Sequence, residues 1–247
     1  MGEAVGRLLA AGNVAEVFEL GGRVVELYRR PEAKPAAFRE AAVHAAVEAM
    51  GLPVPAVWGT RGFGGRWGVV FDRVDGTSFA DRMRGDPAAV PGHLEVLARL
   101  QARLHEHPAD QLRDLKGHLA SNIRRAGRLD EARRRALLAG LAGMPDGERL
   151  CHGDFHPGNV LGEASRPVVI DWADAGRGDP AADCCRSHLL LRLHAEWLAE
   201  PYLDACCRAG RLRREAVLAW LPYVAAARLA EDVPAESDRL SAFACAL

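Results

Sequence analysis

Four residues have the types and spacing to do chemistry together: His152, Asp154, Asn159 and Asp171. They fall in the run from 149 to 173, Arg-Leu-Cys-His-Gly-Asp-Phe-His-Pro-Gly-Asn-Val-Leu followed, after a short turn, by Val-Val-Ile-Asp-Trp-Ala. Gly153, Pro157 and Gly158 hold a loop to a fixed, non-regular path, so the polar side chains are presented at set offsets. Val168-Val-Ile170 reads as a short buried strand that delivers Asp171 at its end. Transfer of a phosphoryl group requires a carboxylate beside the attacking hydroxyl and oxygen ligands for a magnesium ion against the phosphates. Asp154 suits the first role, and Asn159 with Asp171 suits the second. A competing reading takes His152, Asp154 and His156 as an H-x-D-x-H metal cluster of a hydrolase. It leaves Pro157-Gly158-Asn159 and the strand ending on Asp171 without a purpose.

The elements around this run must position it. Residues 6–30 read as β structure, with Arg7–Gly12, Ala15–Leu20 and Arg23–Tyr28 as strands and Gly21-Gly22 as a hairpin connection. A helix follows, entered near Pro35, with Phe38, Ala41, Ala42, Ala45 and Ala46 at helical spacing. Gly51 and Pro53 end it. A second β pair is expected from Val54–Trp58 and Arg66–Phe71 around a Gly-rich turn. Beyond Asp75-Gly76 the pattern becomes helical, beginning with Leu94, Leu97, Leu100 and Leu104. Strands first and helices after predict an α+β chain with a small β-rich lobe over residues 1–75 and a larger helical lobe over 76–247.

Composition narrows the function. The 247 residues carry a formal net charge of -1 with 49% apolar residues, so neither nucleic acid nor a membrane surface is called for. No apolar run reaches the ~18 residues of a spanning helix, and no secretory signal pattern opens the chain. A cytoplasmic protein is expected, with Cys151, Cys184, Cys185, Cys206, Cys207 and Cys245 as small buried thiols. Nothing in the sequence bears on its oligomeric state.

The motif H-G-D-x-H-x-x-N with V-I-D-W resembles the aminoglycoside phosphotransferase and choline kinase superfamily, whose two-lobed fold is similar to that of protein kinases. The resemblance implies Asp154 as catalytic base with His152 supporting its loop, Asn159 and Asp171 as Mg2+ ligands, and Asp183 as the buried carboxylate bracing that loop. It implies ATP or GTP as donor and the hydroxyl of a small molecule, such as an aminoglycoside or other amino or sugar alcohol, as acceptor. Gly12-Asn13 resembles the turn over the nucleotide phosphates. Arg39-Glu40 resembles the family's R-E pair, and Phe71-Asp72-Arg73 resembles the hinge beside the adenine. Leu97–His105 resembles a helix ending in L-x-x-L-H.

One position departs from the family. The strand Val24-Val25-Glu26-Leu27-Tyr28 carries Glu26 where relatives have a phosphate-binding lysine, on the same face as Val24. The only lysines are Lys34 and Lys116, and neither falls at that position. Three explanations stay open: an arginine such as Arg39 compensates and pairs with Glu26; the chain is a degenerate relative that only binds; or Glu26 is an introduced residue or the register differs. Among candidate acceptor contacts, His156, Asp174, Glu231 and Asp232 are named. The acidic cluster Glu231, Asp232, Glu236 and Asp238 is either a solvated segment or a patch for a cationic acceptor. Asp174 and Asp179 are expected to shape loops, and Trp172 to pack beside the metal site.

Overall fold

The computed structural model describes residues 5–245. The chain packs as two compact units, Met1–Phe79 with Asn159–Ala173, and Ala80–Gly158 with Asp174–Leu247.

The first unit is built on a five-stranded antiparallel sheet of order β1-β2-β3-β5-β4. Its strands are β1 (Leu8–Ala11), β2 (Ala15–Leu20), β3 (Arg23–Tyr28), β4 (Val57–Phe63) and β5 (Arg66–Asp72). The Gly21-Gly22 hairpin is as expected: Leu20 faces Arg23, and Gly21 takes a φ of 59° that a side chain would resist. Alternation then splits the sheet into two faces. Val25, Leu20 and Val70 pack on one, while Val24, Tyr28, Val69 and Phe71 pack on the other against α1 (Lys34–Glu48).

The structure decides which face of α1 is buried and corrects the bounds of one expected strand. The buried face of α1 is Ala37, Glu40, His44 and Val47, whereas Phe38, Ala42 and Ala45 are exposed. Glu40 and His44 can turn inward because each finds a partner there. The Tyr28 hydroxyl donates to Glu40 at 2.7 Å, and His44 Nε2 donates to the Pro55 carbonyl at 2.6 Å. The strand expected over 54–58 instead runs from Val57 to Phe63. Pro53 and Pro55 have no N–H to offer a ladder, so pairing starts only beyond them.

Residues 159–173, placed by the sequence in the helical lobe, pack with the first unit. They form the hairpin of β7 (Val160–Glu163) and β8 (Arg166–Val169), after the short strand β6 (Arg149–Cys151) of the second unit. The Val169 N–H donates to the Pro53 carbonyl at 2.8 Å, and Leu161 bridges Ser78. These backbone bonds give the hairpin its place.

The second unit is helical: α2 (Phe79–Gly85), which begins at the unit boundary, α3 (Val90–Leu104), α4 (Leu115–Arg125), α5 (Glu131–Ala142), α6 (Pro180–His194), α7 (Glu196–Gly210), α8 (Arg214–Leu218), α9 (Leu221–Arg228) and α10 (Ser237–Ala244). β6 pairs antiparallel with β9 (Gly176–Gly178). Asp179 shapes its loop by capping α6: its carboxylate accepts the Ala181 N–H at 2.9 Å, with Pro180 in the first turn. Leu94, Leu97, Leu100 and Leu104 are buried as their spacing predicts. The six cysteines are not all thiols, since Cys184 of α6 and Cys206 of α7 are joined as a disulfide. Adjacency in sequence obscured that pairing, because each bonded cysteine belongs to a different Cys-Cys pair.

Candidate active site

In the second unit, β6 leads into the loop that carries His152 and Asp154. Gly153 adopts a φ of 81°, and a Cβ there would lie 2.3 Å from the Asp174 carbonyl oxygen, so only glycine fits. Its N–H donates to Asp183 at 2.7 Å. Asp183 is fully buried and also accepts from His105 Nε2 and Gln101 Nε2, each at 2.9 Å. Burial alone would raise this carboxyl, but the His105 bond and charge together with the Gly153 N–H outweigh it, and the group lies below its ordinary range. His152 is buried, and its Nδ1 accepts the Asp154 N–H at 3.2 Å. The loop backbone is therefore held at consecutive positions.

Asp154 itself is partly buried. Arg186 of α6 donates to its Oδ1 at 3.2 Å, and His156 Nε2 lies 3.6 Å from its Oδ2. Burial pushes the carboxyl up, yet the His156 contact and the Arg186 charge hold it far below the usual carboxylate range. It is ionised throughout neutral pH. Arg186 extends to Glu231 at 3.0 Å, and Glu231 is also paired with Arg228 at 2.7 Å. Asp174 is paired with Arg113 at 2.7 Å. Asp232 is exposed, with a φ of 52°. The acidic segment near the C-terminus is not simply solvated, because Glu236 is buried and bonded through both oxygens to Arg228.

The first unit gathers a different set. Asp171 follows β8 in the left-handed region, with a φ of 62°, a conformation that aspartate tolerates better than most residues. Trp172, fully buried, holds the turn by donating Nε1 to the Val169 carbonyl at 3.1 Å. The Ile170 N–H donates to the Asn159 carbonyl at 3.0 Å, so the loop's end and the strand's end are tied together. Asp171 exerts its charge on Tyr28 and on Glu40, whose carboxyl is raised to about 7, by burial foremost. Glu26 faces the same side. Burial and then Glu40 push its carboxyl up to about 8, with no cation of the described residues opposing them. Arg39 is exposed on α1 and forms no ion pair with Glu26.

A raised carboxyl has a consequence for stability. Ionising Glu26 opposes folding, so the folded state loses stability as pH rises from its ordinary value of 4.5 toward about 8. Replacing it with Gln removes that loss, worth roughly 2 kcal/mol after allowing for its partial exposure. Melting curves should therefore show Glu26→Gln several degrees above the wild type at pH 8.5 and close to it at pH 5. Equal gaps at both pH values would contradict a neutral buried Glu26.

The other named residues occupy ordinary positions within the first unit. Gly12 and Asn13 form the exposed turn between β1 and β2. Val24 packs against the buried cluster of Tyr28, Ala37, Val69 and Phe71. The Phe71 ring lies tilted against that of His44, centroids 4.7 Å apart, Asp72 accepts from Trp58 Nε1 at 2.7 Å, and Arg73 pairs with Glu19 and Asp75. His152, Asp154 and His156 do not converge as a metal set. Among the described residues only His105, Cys151 and Asp183 bring three suitable donor atoms together, and both Asp183 oxygens there already accept N–H bonds.

Over residues 5–221 the chain matches the sequence profile of the Phosphotransferase enzyme family. The chain belongs to that family. One relative is the streptomycin 6-kinase of Streptomyces glaucescens, 33% identical over 127 residues that make up 47% of this chain and 40% of that protein. The match thus spans less than half of that relative's length. Among solved structures, a thermostable mutant of aminoglycoside phosphotransferase APH(4)-Ia in its apo form is 17% identical, with a TM-score of 0.72 over 97% of this chain and 92% of that one. A choline/ethanolamine kinase family protein from Mesorhizobium loti is 20% identical, with a TM-score of 0.61 over 97% and 87%. At these identities the likeness shows the fold, which is the kinase-like α+β fold expected from the sequence.

Within the family frame, several residues that sequence reasoning passed over are prominent. Tyr28 takes the Glu40 carboxylate, and Gln101 joins His105 in holding Asp183. Arg186 joins Asp154 to Glu231. Two spacings were available as signals. Gln101 lies one turn before His105 on α3, and Arg186 lies one turn after Asp183 on α6. Tyr28 gave none beyond its place two residues after Glu26.

Proposed function

We propose that the chain transfers the γ-phosphoryl group of ATP or GTP to a hydroxyl of a small molecule, within the range of aminoglycosides and other amino or sugar alcohols. The observation that carries this reading is the Asp154 carboxylate, ionised, fixed by Arg186 and set in a loop that Asp183 braces through the Gly153 N–H. In the reaction the acceptor oxygen bonds to the γ-phosphorus as the bond to the β–γ bridging oxygen breaks. The hydroxyl proton passes to Asp154, and the nucleoside diphosphate leaves.

Asn159 and Asp171 are the residues that would hold Mg2+. Their oxygen donors suit a hard cation, and the charge of Asp171, which helps to raise the neighbouring Glu40 carboxyl, is one that such a cation would offset. The ion would supply charge neutralisation to the nucleotide phosphates. A second reading, a degenerate relative that binds without turnover, is favoured by Glu26, since a carboxyl there offers the phosphates no cation.

A thermal-shift titration with ATP and MgCl2, followed by assay of ADP formed with an acceptor panel, separates the two. The phosphotransferase reading expects nucleotide-dependent stabilisation and acceptor-dependent ADP. Stabilisation without ADP would establish the second reading, and neither would overturn both.

A further inference from the structure

The second unit contains a cavity of about 190 Å3 lined by Gly153, the residue before Asp154, and by Arg186, which bonds Asp154. Pockets that enclose drug-sized ligands span ~300–1,000 Å3, so this space suits a small acceptor. Three carboxylates reach its wall, and each is already engaged. Asp174 is paired with Arg113, Glu231 with both Arg186 and Arg228, and Asp183 with His105 and the Gly153 N–H.

Of the cations in the wall, Arg186 is paired with Asp154 and Glu231 and Arg228 with Glu231 and Glu236, which leaves Arg125 outside this pairing. Arg125, at the end of α4, has Asn122 as its hydrogen-bond partner and no carboxylate within ion-pair distance among the described residues. Arg186 has a buried Nε with no acceptor. His118 adds no charge, because burial and then Arg113 hold its imidazole down to about 4. An ammonium entering this cavity would meet guanidinium groups and only carboxylates that are already neutralised. A carboxylate or phosphate would meet planar N–H donors whose geometry matches it.

We infer that the acceptor is a small polyol bearing one oxyanion group, seated with that group on Arg125 and Arg186 and a hydroxyl toward Asp154, and not a polycationic amino sugar. The inference rests on the phosphotransferase reading and specifies its acceptor. It also reverses the role offered for Glu231: that side chain neutralises arginines instead of receiving a cation.

Four six-carbon chains that differ at one end test it: gluconate, sorbitol 6-phosphate, sorbitol and glucamine. Calorimetric titration of the full chain without nucleotide should show gluconate or sorbitol 6-phosphate binding at least tenfold more tightly than sorbitol, with glucamine weakest. Which of the two anions leads distinguishes a carboxylate acceptor from a phosphate one. Arg125→Gln, at an exposed position and checked for an unchanged melting temperature, should erase about tenfold of that preference and leave sorbitol unaffected. Glucamine binding as tightly as the anions, no binding by any of the four, or an Arg125→Gln variant with the full preference would each overturn the inference. Turnover with ATP and Mg2+ is read separately. Anion-selective binding without ADP formation would support the seat and sink the phosphotransferase reading, whereas turnover that favours glucamine would do the opposite.

Discussion

Asp154→Asn is expected to lower acceptor-dependent turnover by about a thousandfold or more while nucleotide binding changes little, since general-base catalysis contributes ~100- to 10,000-fold. The substitution is nearly isosteric. Its amide oxygen can still accept from Arg186, so the loop held by His152 and Asp183 should keep its path. What disappears is the negative charge that would receive the hydroxyl proton in the proposed reaction. Because that charge is held far below the usual carboxylate range by His156 and Arg186 against the cost of burial, the wild type should show no loss of kcat between pH 7 and pH 5 from this group. Single-turnover rates and ATP titrations of the variant provide the check. Turnover near that of the wild type would remove Asp154 from the mechanism.

Asp183→Ala should cost about 3–5 kcal/mol of stability, the range for removing one partner of a buried charged pair. Its carboxylate is the common acceptor for His105, Gln101 and the Gly153 N–H, all at 2.7–2.9 Å, and truncation leaves those donors without it at a buried position. The same geometry gives a pH dependence. The folded-state group lies below its ordinary value, so its contribution is present at neutral pH and is lost as pH falls through that lowered value. Urea titration at pH 7 measures the loss through the shift in midpoint. A change under 1 kcal/mol would mean that the catalytic loop is braced by something else.

The two expectations differ in kind. In the proposed reaction Asp154 would meet the acceptor hydroxyl, so its removal should act on rate. Asp183 acts through the Gly153 backbone, so its removal should act first on stability and only then on rate. A variant at 183 that kept full stability but lost turnover would contradict that division.

Much of this protein was legible in its sequence because local spacing dictates local geometry. Gly21-Gly22 specifies a two-residue turn, and alternation along β3 puts Val24, Glu26 and Tyr28 on one face. The fixed offsets from His152 to Asn159, and the apolar strand leading to Asp171, follow from glycine, proline and a β-branched run, although β8 ends at Val169, two residues before Asp171. The tertiary structure decided what each charge meets. Nothing in the spacing of α1 indicated that Glu40 and His44 would be buried, because their partners, Tyr28 and Pro55, lie on other elements. Nor could sequence neighbours show that Arg186 would join Asp154 to Glu231, 32 and 45 positions away. Periodicity sets the face on which a side chain lies; only packing sets the partner opposite, and the partner determines whether a carboxyl is a base, a brace or a neutral acid.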